Sequence, residues 1–276
     1  ILNSWGSLRR WMSNQVHHAI WHREIYSQVG VLECLSGMPF DVEFIDFDDV
    51  RNGIPEDIKV IINVGSAYTA FSGAENWIDE VVVTSIRRFV DEGGGFIGVG
   101  EPTAYQHQGR FFQLSDVLGV DREMCFSLNT DKYNEMDANH FILEDIDGEV
   151  DFGEGTSRIY AQGKNYQILA MDGEYSQLVV NEYGKGHSVY FAGLPYSPQN
   201  CRILLRAIYY AAGMEKEMKR YYVTNVDTEV TVFPKSKKIA VINNSSEAQH
   251  TDVYINGNCV YELDLEPGEM RWVEDV

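Results

Sequence analysis

The sequence predicts an α/β domain with a parallel sheet, followed by a small all-β domain. Helical and extended apolar periods alternate with short connections through the first part of the chain, which is typical of βαβ units. The composition changes after Gly213, where short alternating runs replace the helices. With 276 residues, of which 44% are hydrophobic, the chain is long enough to bury a core in each unit.

The N-terminal arm, residues 1–22, is expected to be helical, because apolar residues recur at spacings of three and four over residues 4–22. His18 and His22 lie four positions apart on one helix face, which is the spacing of a helical metal site. That zinc motif has a Glu beside its first His, whereas Ala19 stands there in this chain. We therefore favour packing or hydrogen bonding over metal binding for both His residues.

The α/β domain is expected over residues 23–213, as a parallel sheet with an antiparallel extension. Its first expected elements are a helix Glu24–Leu35 ended by Gly37, strands Asp41–Phe47 and Val60–Val64, a helix Trp77–Asp91, a strand Phe96–Val99 and a helix Phe112–Leu118. Val81, Ile86 and Phe89 are expected on the apolar side of the helix Trp77–Asp91.

The second part of this domain begins with a polar, acidic stretch, Met124–Gly153. A solvated insertion is favoured there over a calcium loop, because the D-x-D-x-D-G order is absent. Alternating runs then predict antiparallel strands attached to the sheet, namely Arg158–Ala161, Tyr166–Met171, Gln177–Glu182 and Ser188–Ala192. The last expected element is the helix Asn200–Ala212, with Ile203, Leu204, Ala207 and Ile208 inward and Gly213 as its stop.

The C-terminal unit, residues 214–276, starts with a charged connector and continues as five or six short strands, the pattern of a small β-sandwich. Its 12 acidic residues outnumber its 7 Lys and Arg residues, which argues against a nucleic-acid module. A docking or packing role is favoured, and carbohydrate binding is the alternative. Trp272 and Tyr261 would either stack on a sugar or fill the core.

The formal net charge of −20 makes nucleic acid and anionic membranes poor partners. No run approaches the roughly 18 consecutive apolar residues of a membrane-spanning helix. The four cysteines are widely spaced, without a CxxC pair, so reduced thiols in a cytoplasmic protein are expected. The chain begins at Ile1 without a signal-peptide pattern, and we expect it to be a piece of a longer protein.

The stretch Ile86–Phe112 carries the candidate functional residues. It predicts a helix end, a Gly-rich turn, a buried strand and a tight elbow, and ligands gather at the carboxyl ends of parallel strands. Its polar residues, expected at a substrate rim or an interdomain contact, are Glu101, Tyr105, His107, Gln108 and Arg110. Glu101 is either a general acid or base or a structural acceptor, and the structural or ligand-positioning role is favoured.

No catalytic residue is assigned to this elbow. Gly100 and Glu101 occupy the positions at which a nucleophile elbow has Ser or Cys, and Pro102 lacks the N–H of an oxyanion hole. The glycines Gly93–Gly95 precede the strand, whereas a dinucleotide fingerprint follows one. No cofactor and no metal site are expected.

Two resemblances extend this interpretation. The helix–GGG–strand–elbow pattern with an antiparallel edge resembles the class I glutamine amidotransferase-like (flavodoxin-like) fold in a version without its Cys. The stretch GGGFIGVGEPTAYQHQGRFFQLSDVLGVD resembles the middle domain of the galacto-N-biose/lacto-N-biose phosphorylases, glycoside hydrolase family 112. The Trp-rich start and the terminal β domain follow that family's order over essentially the whole chain.

The resemblance implies an N-terminal (β/α)₈ barrel that performs inverting phosphorolysis of β-1,3-galactosyl-N-acetylhexosamine, with inorganic phosphate as co-substrate and galactose 1-phosphate as product. This chain shows no eight-fold βα pattern, so the family's catalytic acid corresponds to none of its residues. The expected role is therefore non-catalytic: to shape or close the barrel's active site and to support assembly, possible homodimer contacts included. The alternative is a free-standing sugar-binding or sugar-processing protein.

Overall fold

The computed structural model describes residues 1–4, 22–124 and 135–274. The helices are α1 His22–Ser36, α2 Phe47–Asn52, α3 Glu80–Asp91, α4 Ser115–Leu118, α5 Pro198–Ala211 and α6 Glu215–Met218, with 3₁₀ turns at Ala74–Ile78 and Phe141–Leu143. The strands of the α/β part are β1 Val60–Gly65, β2 Gly95–Gly100, β3 Ala104–His107, β4 Arg110–Phe112, β5 Val120–Arg122, β6 Ile159–Ala161, β7 Tyr166–Asp172, β8 Tyr175–Tyr183 and β9 Gly186–Phe191. The C-terminal strands are β10 Tyr221–Val223, β11 Thr228–Phe233, β12 Lys238–Asn243, β13 Gln249–Ile255, β14 Asn258–Leu265 and β15 Met270–Glu274.

Two predicted features lie outside the described residues. One is most of the helical arm predicted over residues 4–22, which includes His18. The other is residues 125–134 of the predicted polar insertion, which include Cys125. Residues 1–4 are extended and buried, and Leu2 forms a parallel bridge with Ile45 and donates its N–H to the Ile62 carbonyl at 2.9 Å. No helix in the described ranges is long and apolar enough to cross a membrane.

The central sheet has five strands in the order β1-β2-β9-β8-β7. Strands β1, β2 and β9 are parallel, and β8 and β7 extend the sheet in antiparallel pairs. This mixed sheet confirms the predicted parallel core with an antiparallel extension. The run Ser188–Ala192 forms β9, which pairs antiparallel with β8 as predicted but also pairs parallel with β2, and five of its six residues are buried, as in a strand covered on both faces. The run Arg158–Ala161 also differs, since β6 pairs with β5 in a separate ribbon.

Helices cover both faces of this sheet. One core cluster joins Ile86 of α3 and Phe96 to Tyr190, and the other joins Val31 of α1 and Ile97 to residues of α5. The four predicted inward residues of α5, Ile203, Leu204, Ala207 and Ile208, are all buried. Gly213 follows α5 with φ +65°, which confirms the predicted helix stop.

The predicted strand Asp41–Phe47 is wrong. Only Ile45 forms a β-bridge there, and α2 begins at Phe47. The side chain of Asp46 accepts the N–H groups of Asp48 and Asp49 at 2.8 and 3.0 Å, and Asp49 accepts the Asp46 N–H at 2.8 Å. This reciprocal capping box stabilises a helix start where the alternation of apolar residues indicated a strand.

The two predicted helices nearest the elbow are shorter than expected. The helix α3 begins at Glu80 rather than Trp77, because Asp79 caps it by accepting the Val81 N–H at 2.9 Å. Val81 is therefore 54% exposed instead of facing the core, while Ile86 is buried as predicted. Phe112 belongs to β4, so the helix predicted over Phe112–Leu118 forms only at α4.

The C-terminal unit contains two three-stranded antiparallel sheets, β10-β13-β14 and β11-β12-β15, packed on one cluster that includes Val241 and Val253. The predicted set of five or six strands is thus confirmed, although the connector before them forms the short helix α6. Trp272 is 51% exposed and lies 5.2 Å from the ring of Phe233, so it does not fill the core. Tyr261 is half-buried and donates its hydroxyl to the Glu274 carbonyl.

A buried charge network joins the two units. Arg202 of α5 donates to Asp145 Oδ2 at 2.6 Å and to the carbonyl of Val223 in β10 at 3.1 Å. Arg206 lies 2.5 Å from Asp145 Oδ1, and Tyr222 of β10 donates its hydroxyl to Asp145 Oδ2 at 2.9 Å. Asp145 thus connects α5 to the first strand of the β domain.

Candidate functional site

The site is built at the carboxyl ends of β1 and β2, where the two parallel strands end side by side at Gly65 and Gly100. Both glycines have positive φ, +138° and +77°. A Cβ on Gly65 would lie 2.6 Å from the Cβ of Phe71, so the close return of the chain after β1 requires glycine. The Glu101 N–H donates to the Gly65 carbonyl at 2.9 Å, which fixes the start of the elbow against the end of β1.

The carboxylate of Glu101 is held by structural partners. Its Oε2 accepts the Ala67 N–H at 2.7 Å, and its Oε1 forms an ion pair with Arg122 Nη1. The Glu101 side chain is 17% exposed. Both oxygens have partners, so the structure favours the structural interpretation of Glu101 over general acid or base chemistry.

Aromatic rings lie beside this ion pair. The ring of Tyr68 lies 5.5 Å from that of Tyr105 and 6.5 Å from that of Phe111, both edge-on, and Arg122 lies over the ring of Phe111 at 5.0 Å. Tyr68 is 53% exposed and has φ +62°, which is uncommon for a non-glycine residue. We call Tyr68, Glu101, Tyr105, Phe111 and Arg122 together the strand-end face.

The remaining predicted site residues lie on a hairpin. Strands β3 and β4 follow the elbow as an antiparallel pair, in which His107 lies opposite Arg110. Gln108 and Gly109 form the turn, both with positive φ (+51° and +79°), as in a type I′ hairpin. Gln108 at the tip is exposed, whereas His107 is half-buried.

Arg110 is separated from Glu101. It lines a polar cavity of about 420 Å³ together with Asp121, Tyr160, Lys164 and Asn181. Asp121 Oδ1 accepts the N–H groups of Phe111, Phe112 and Arg122, at 3.2, 2.9 and 2.8 Å. Burial raises the pKa of the Asp121 carboxyl, against the lowering effect of those three hydrogen bonds. The structure therefore places Arg110 at a cavity that neither Glu101 nor Tyr105 lines.

Four residues of this region were missed from the sequence: Tyr68, Phe111, Arg122 and Asp121. Tyr68 lies three positions after the carboxyl end of β1. The rule that ligands gather at the ends of parallel strands, which indicated Glu101, therefore also indicates Tyr68. Arg122 and Asp121 carry no local signal, because their partners become neighbours only when β5 packs beside the hairpin.

The elbow has no free donor for acyl chemistry. The Glu101 N–H is taken by Gly65, and the Thr103 N–H donates to Asn63 Oδ1 at 2.8 Å. Tyr190, which donates its hydroxyl to the Gly100 carbonyl at 3.0 Å, is fully buried, and burial raises its pKa far above the ordinary value. The N–H groups of Glu101 and Thr103 are thus engaged inside the protein, and neither is directed at a ligand.

Within the described ranges, one group of side chains has metal-ligand spacing: Asp252, Cys259 and Glu262 of the β domain, whose ligand atoms lie within 4.8 Å of one another. None of the three belongs to the strand-end face. All three are on β13 and β14, and two of them are exposed.

Two family models match the chain. The family described as the lacto-N-biose phosphorylase central domain matches residues 1–216, and the one described as the lacto-N-biose phosphorylase C-terminal domain matches residues 221–273.

Curated relatives are phosphorylases. The chain is 49% identical over 274 residues to a 1,3-β-galactosyl-N-acetylhexosamine phosphorylase of Lachnoclostridium phytofermentans, covering 99% of this chain and 38% of the relative. It is 39% identical to a 1,3-β-galactosyl-N-acetylhexosamine phosphorylase of Bifidobacterium longum subsp. longum, covering 99% of this chain and 41% of that one. A D-galactosyl-β-1→4-L-rhamnose phosphorylase of L. phytofermentans is 34% identical, with 96% and 36% coverage. The chain therefore spans about two fifths of the length of these relatives.

Among solved structures, a catalytic mutant of Gan42B, a GH42 β-galactosidase from G. stearothermophilus, matches with a TM-score of 0.52 and 16% identity. The match covers 99% of this chain and 39% of the β-galactosidase. At that identity the likeness concerns the fold alone.

Proposed function

The chain belongs to the lacto-N-biose phosphorylase family, and from that premise we propose that it forms the non-catalytic central and C-terminal region of a 1,3-β-galactosyl-N-acetylhexosamine phosphorylase. In this proposal the strand-end face contacts an N-terminal (β/α)₈ barrel and helps to shape or close the barrel's active site. The disaccharide is bound and cleaved in the barrel, outside this chain.

The single observation that carries this proposal is the state of the elbow. The N–H groups of Glu101 and Thr103 and both oxygens of the Glu101 carboxylate are occupied by internal partners. Next to it lies Tyr68, an exposed aromatic side chain held in a left-handed conformation. Such an arrangement is suited to contact rather than to chemistry, since aromatic side chains are enriched at the centres of interfaces.

The reaction proposed for the whole enzyme is inverting phosphorolysis of lacto-N-biose or galacto-N-biose. Inorganic phosphate takes the place of water, and the products are galactose 1-phosphate and an N-acetylhexosamine. The proposal includes a class I glutamine amidotransferase-like fold for residues 23–213, a β-sandwich for 214–276, an N-terminal arm over 1–22 whose first four residues are extended, a cytoplasmic location and a possible homodimer. His107, Gln108 and Arg110 are proposed as further contacts at the rim.

Two proteins test the proposal: the chain alone, and the chain fused behind the N-terminal remainder of the 49% identical Lachnoclostridium relative. Both are incubated with lacto-N-biose and phosphate, and galactose 1-phosphate is measured. We expect no product from the chain alone and product from the fusion. Product from the chain alone would overturn the proposal and support the free-standing sugar-processing alternative, which family membership and partial coverage of the relatives do not favour.

Because the chain is 34% identical to a galactosyl-rhamnose phosphorylase, L-rhamnose is a second candidate for the acceptor sugar of the whole enzyme. The same fusion, assayed with D-galactosyl-β-1,4-L-rhamnose, shows whether this chain tolerates either acceptor. Because the barrel binds the disaccharide in our proposal, we expect the acceptor preference to follow the source of the barrel.

A further inference from the structure

Two cysteines meet where the α/β domain contacts the β domain. Cys34 lies in the last turn of α1, and Cys201 lies in the first turn of α5. Both line a cavity of about 80 Å³ that also touches Tyr221 of β10 and Glu229 of β11. Cys34 is 2% exposed, whereas Cys201 is partly exposed.

The two thiols share one environment, at the N-terminus of α5. Cys34 and Cys201 line the same cavity and affect each other's pKa. Ser197 caps α5, and the Cys201 N–H donates to the Ser197 carbonyl at 2.9 Å, which places Cys201 in the first turn of that helix. The N-terminus of a helix favours a thiolate, because its unpaired N–H groups and its dipole stabilise negative charge.

The pair is asymmetric. Hydrogen bonding with Cys34 lowers the pKa of the Cys201 thiol, against the raising effects of burial and of the carboxylates Glu229 and Glu33. Cys34 has its pKa raised, first by the hydrogen bond with Cys201 and then by burial. Cys201 is therefore the more accessible of the two sulfurs, and Cys34 is the more buried.

We propose that Cys34 and Cys201 are a redox modification site, at which a low-molecular-weight disulfide such as oxidised glutathione converts the two thiols into an intrachain disulfide. The Cys201 thiolate attacks one sulfur of glutathione disulfide, whose S–S bond breaks and releases one glutathione thiolate. Cys34 then loses its proton to solvent, attacks Cys201 Sγ and expels the second glutathione. Two cysteine thiols are oxidised, and one glutathione disulfide is reduced to two thiols.

The disulfide would join the last turn of α1 to the first turn of α5, next to the contact of these helices with β10 and β11. Its loop encloses the whole central sheet, and a long closed loop restricts the unfolded chain strongly. The oxidised form is therefore expected to unfold at a higher temperature than the reduced form.

The test exposes the chain to oxidised glutathione under native conditions and maps its cysteines by mass spectrometry. The expected product is a cross-linked peptide pair containing Cys34 and Cys201, with a mass two hydrogens lower than the separate peptides and reversed by dithiothreitol. In Cys34→Ala, a stable glutathione adduct is expected on Cys201, because the second thiol is missing. In Cys201→Ala, Cys34 is expected to stay a free thiol, because it is buried.

Cys259→Ala is the matched control, since this exposed cysteine of β14 belongs to neither helix and its replacement should leave the cross-link unchanged. Circular dichroism of each variant checks that it is folded. A glutathione adduct that persists on Cys201 in the unsubstituted chain while Cys34 remains free would overturn the proposal, and so would an unreactive Cys201.

Discussion

Arg122 and Glu101 form an ion pair across the top of the sheet, joining β5 to the elbow that follows β2. The second oxygen of Glu101 accepts the Ala67 N–H, so one carboxylate holds three segments in place. The positions of Tyr68 and Tyr105 depend on those segments, because each aromatic residue lies within a few positions of a group that Glu101 fixes. The residues of the strand-end face are thus connected to one another through the Glu101 carboxylate.

Replacement of Glu101 tests whether its carboxylate stabilises the fold. Glu101→Gln keeps an acceptor for Ala67 but removes the charge that faces Arg122, and the free energy of unfolding should fall by about 1–2 kcal/mol. Urea denaturation of the chain measures this free energy. Glu75→Gln, at an exposed position, is the matched control, and its free energy of unfolding should lie within about 0.5 kcal/mol of that of the original chain. Equal stability of the two variants would show that the ion pair is not structural.

Asp145 accepts the ion pairs and the hydrogen bond that join the two units. Asp145→Asn removes the charge that faces Arg202, which is 6% exposed, and leaves Arg206, which is 3% exposed, with the longer contact to Glu144 at 3.5 Å. Breaking a buried pair in this way costs about 3–5 kcal/mol, so we expect a large fall in the denaturation midpoint. Asp147→Asn, an exposed neighbour with the same change of charge, should have little effect.

The pH dependence of stability follows from the same carboxylate. Burial by itself would raise the pKa of Asp145, but hydrogen bonding from Arg206 and the charges of Arg202 and Arg206 hold it below the ordinary 3.8. A carboxyl with a depressed pKa in the folded state contributes stability above its unfolded pKa and loses it as the pH falls through the folded value. The stability difference between the original chain and Asp145→Asn should therefore be constant near neutral pH and shrink below pH 3.8. Denaturation midpoints measured along a pH series check this, and a difference that grows in acid would contradict it.

The sequence allowed prediction of the elements with regular periodicity, but not of the elements set by caps or by distant partners. Strand β1 and helix α5 were predicted closely, because their apolar residues follow the period of a buried strand and an amphipathic helix. The capping box at Asp46 starts a helix where a strand was predicted, and the cap at Asp79 moves the start of α3, since side-chain hydrogen bonds outweighed the apolar pattern.

The candidate site likewise contains residues that the sequence indicates and residues that it does not. Glu101 and Tyr105 were found because strand ends are predictable. Arg122 was not, because its contact with Glu101 crosses 21 positions and requires the short ribbon of β5 and β6.

Tyr68 provides the sharpest test of the strand-end face as a contact surface. Asn tolerates its left-handed backbone, so Tyr68→Asn removes the ring without added backbone strain. In the isolated chain the change should alter stability by less than about 1 kcal/mol, since half of the ring is exposed. In the barrel fusion, phosphorolysis should fall about tenfold, the size of an interface hot spot. Tyr196→Asn, which removes a similarly exposed ring just before α5, is the control.

Hydrogen exchange of the β3–β4 hairpin tests the central claim most directly. The exposed Gln106 donates its N–H only weakly, to the Tyr68 hydroxyl at 3.4 Å, and Gln108 lies at the tip, so both amides should exchange rapidly in the isolated chain. If the strand-end face packs against the barrel, peptides covering Tyr68 and this hairpin become protected in the fusion, while the strands of the β domain exchange at the same rate in both proteins. Unchanged exchange of the hairpin in a fusion that produces galactose 1-phosphate would contradict the proposed contact.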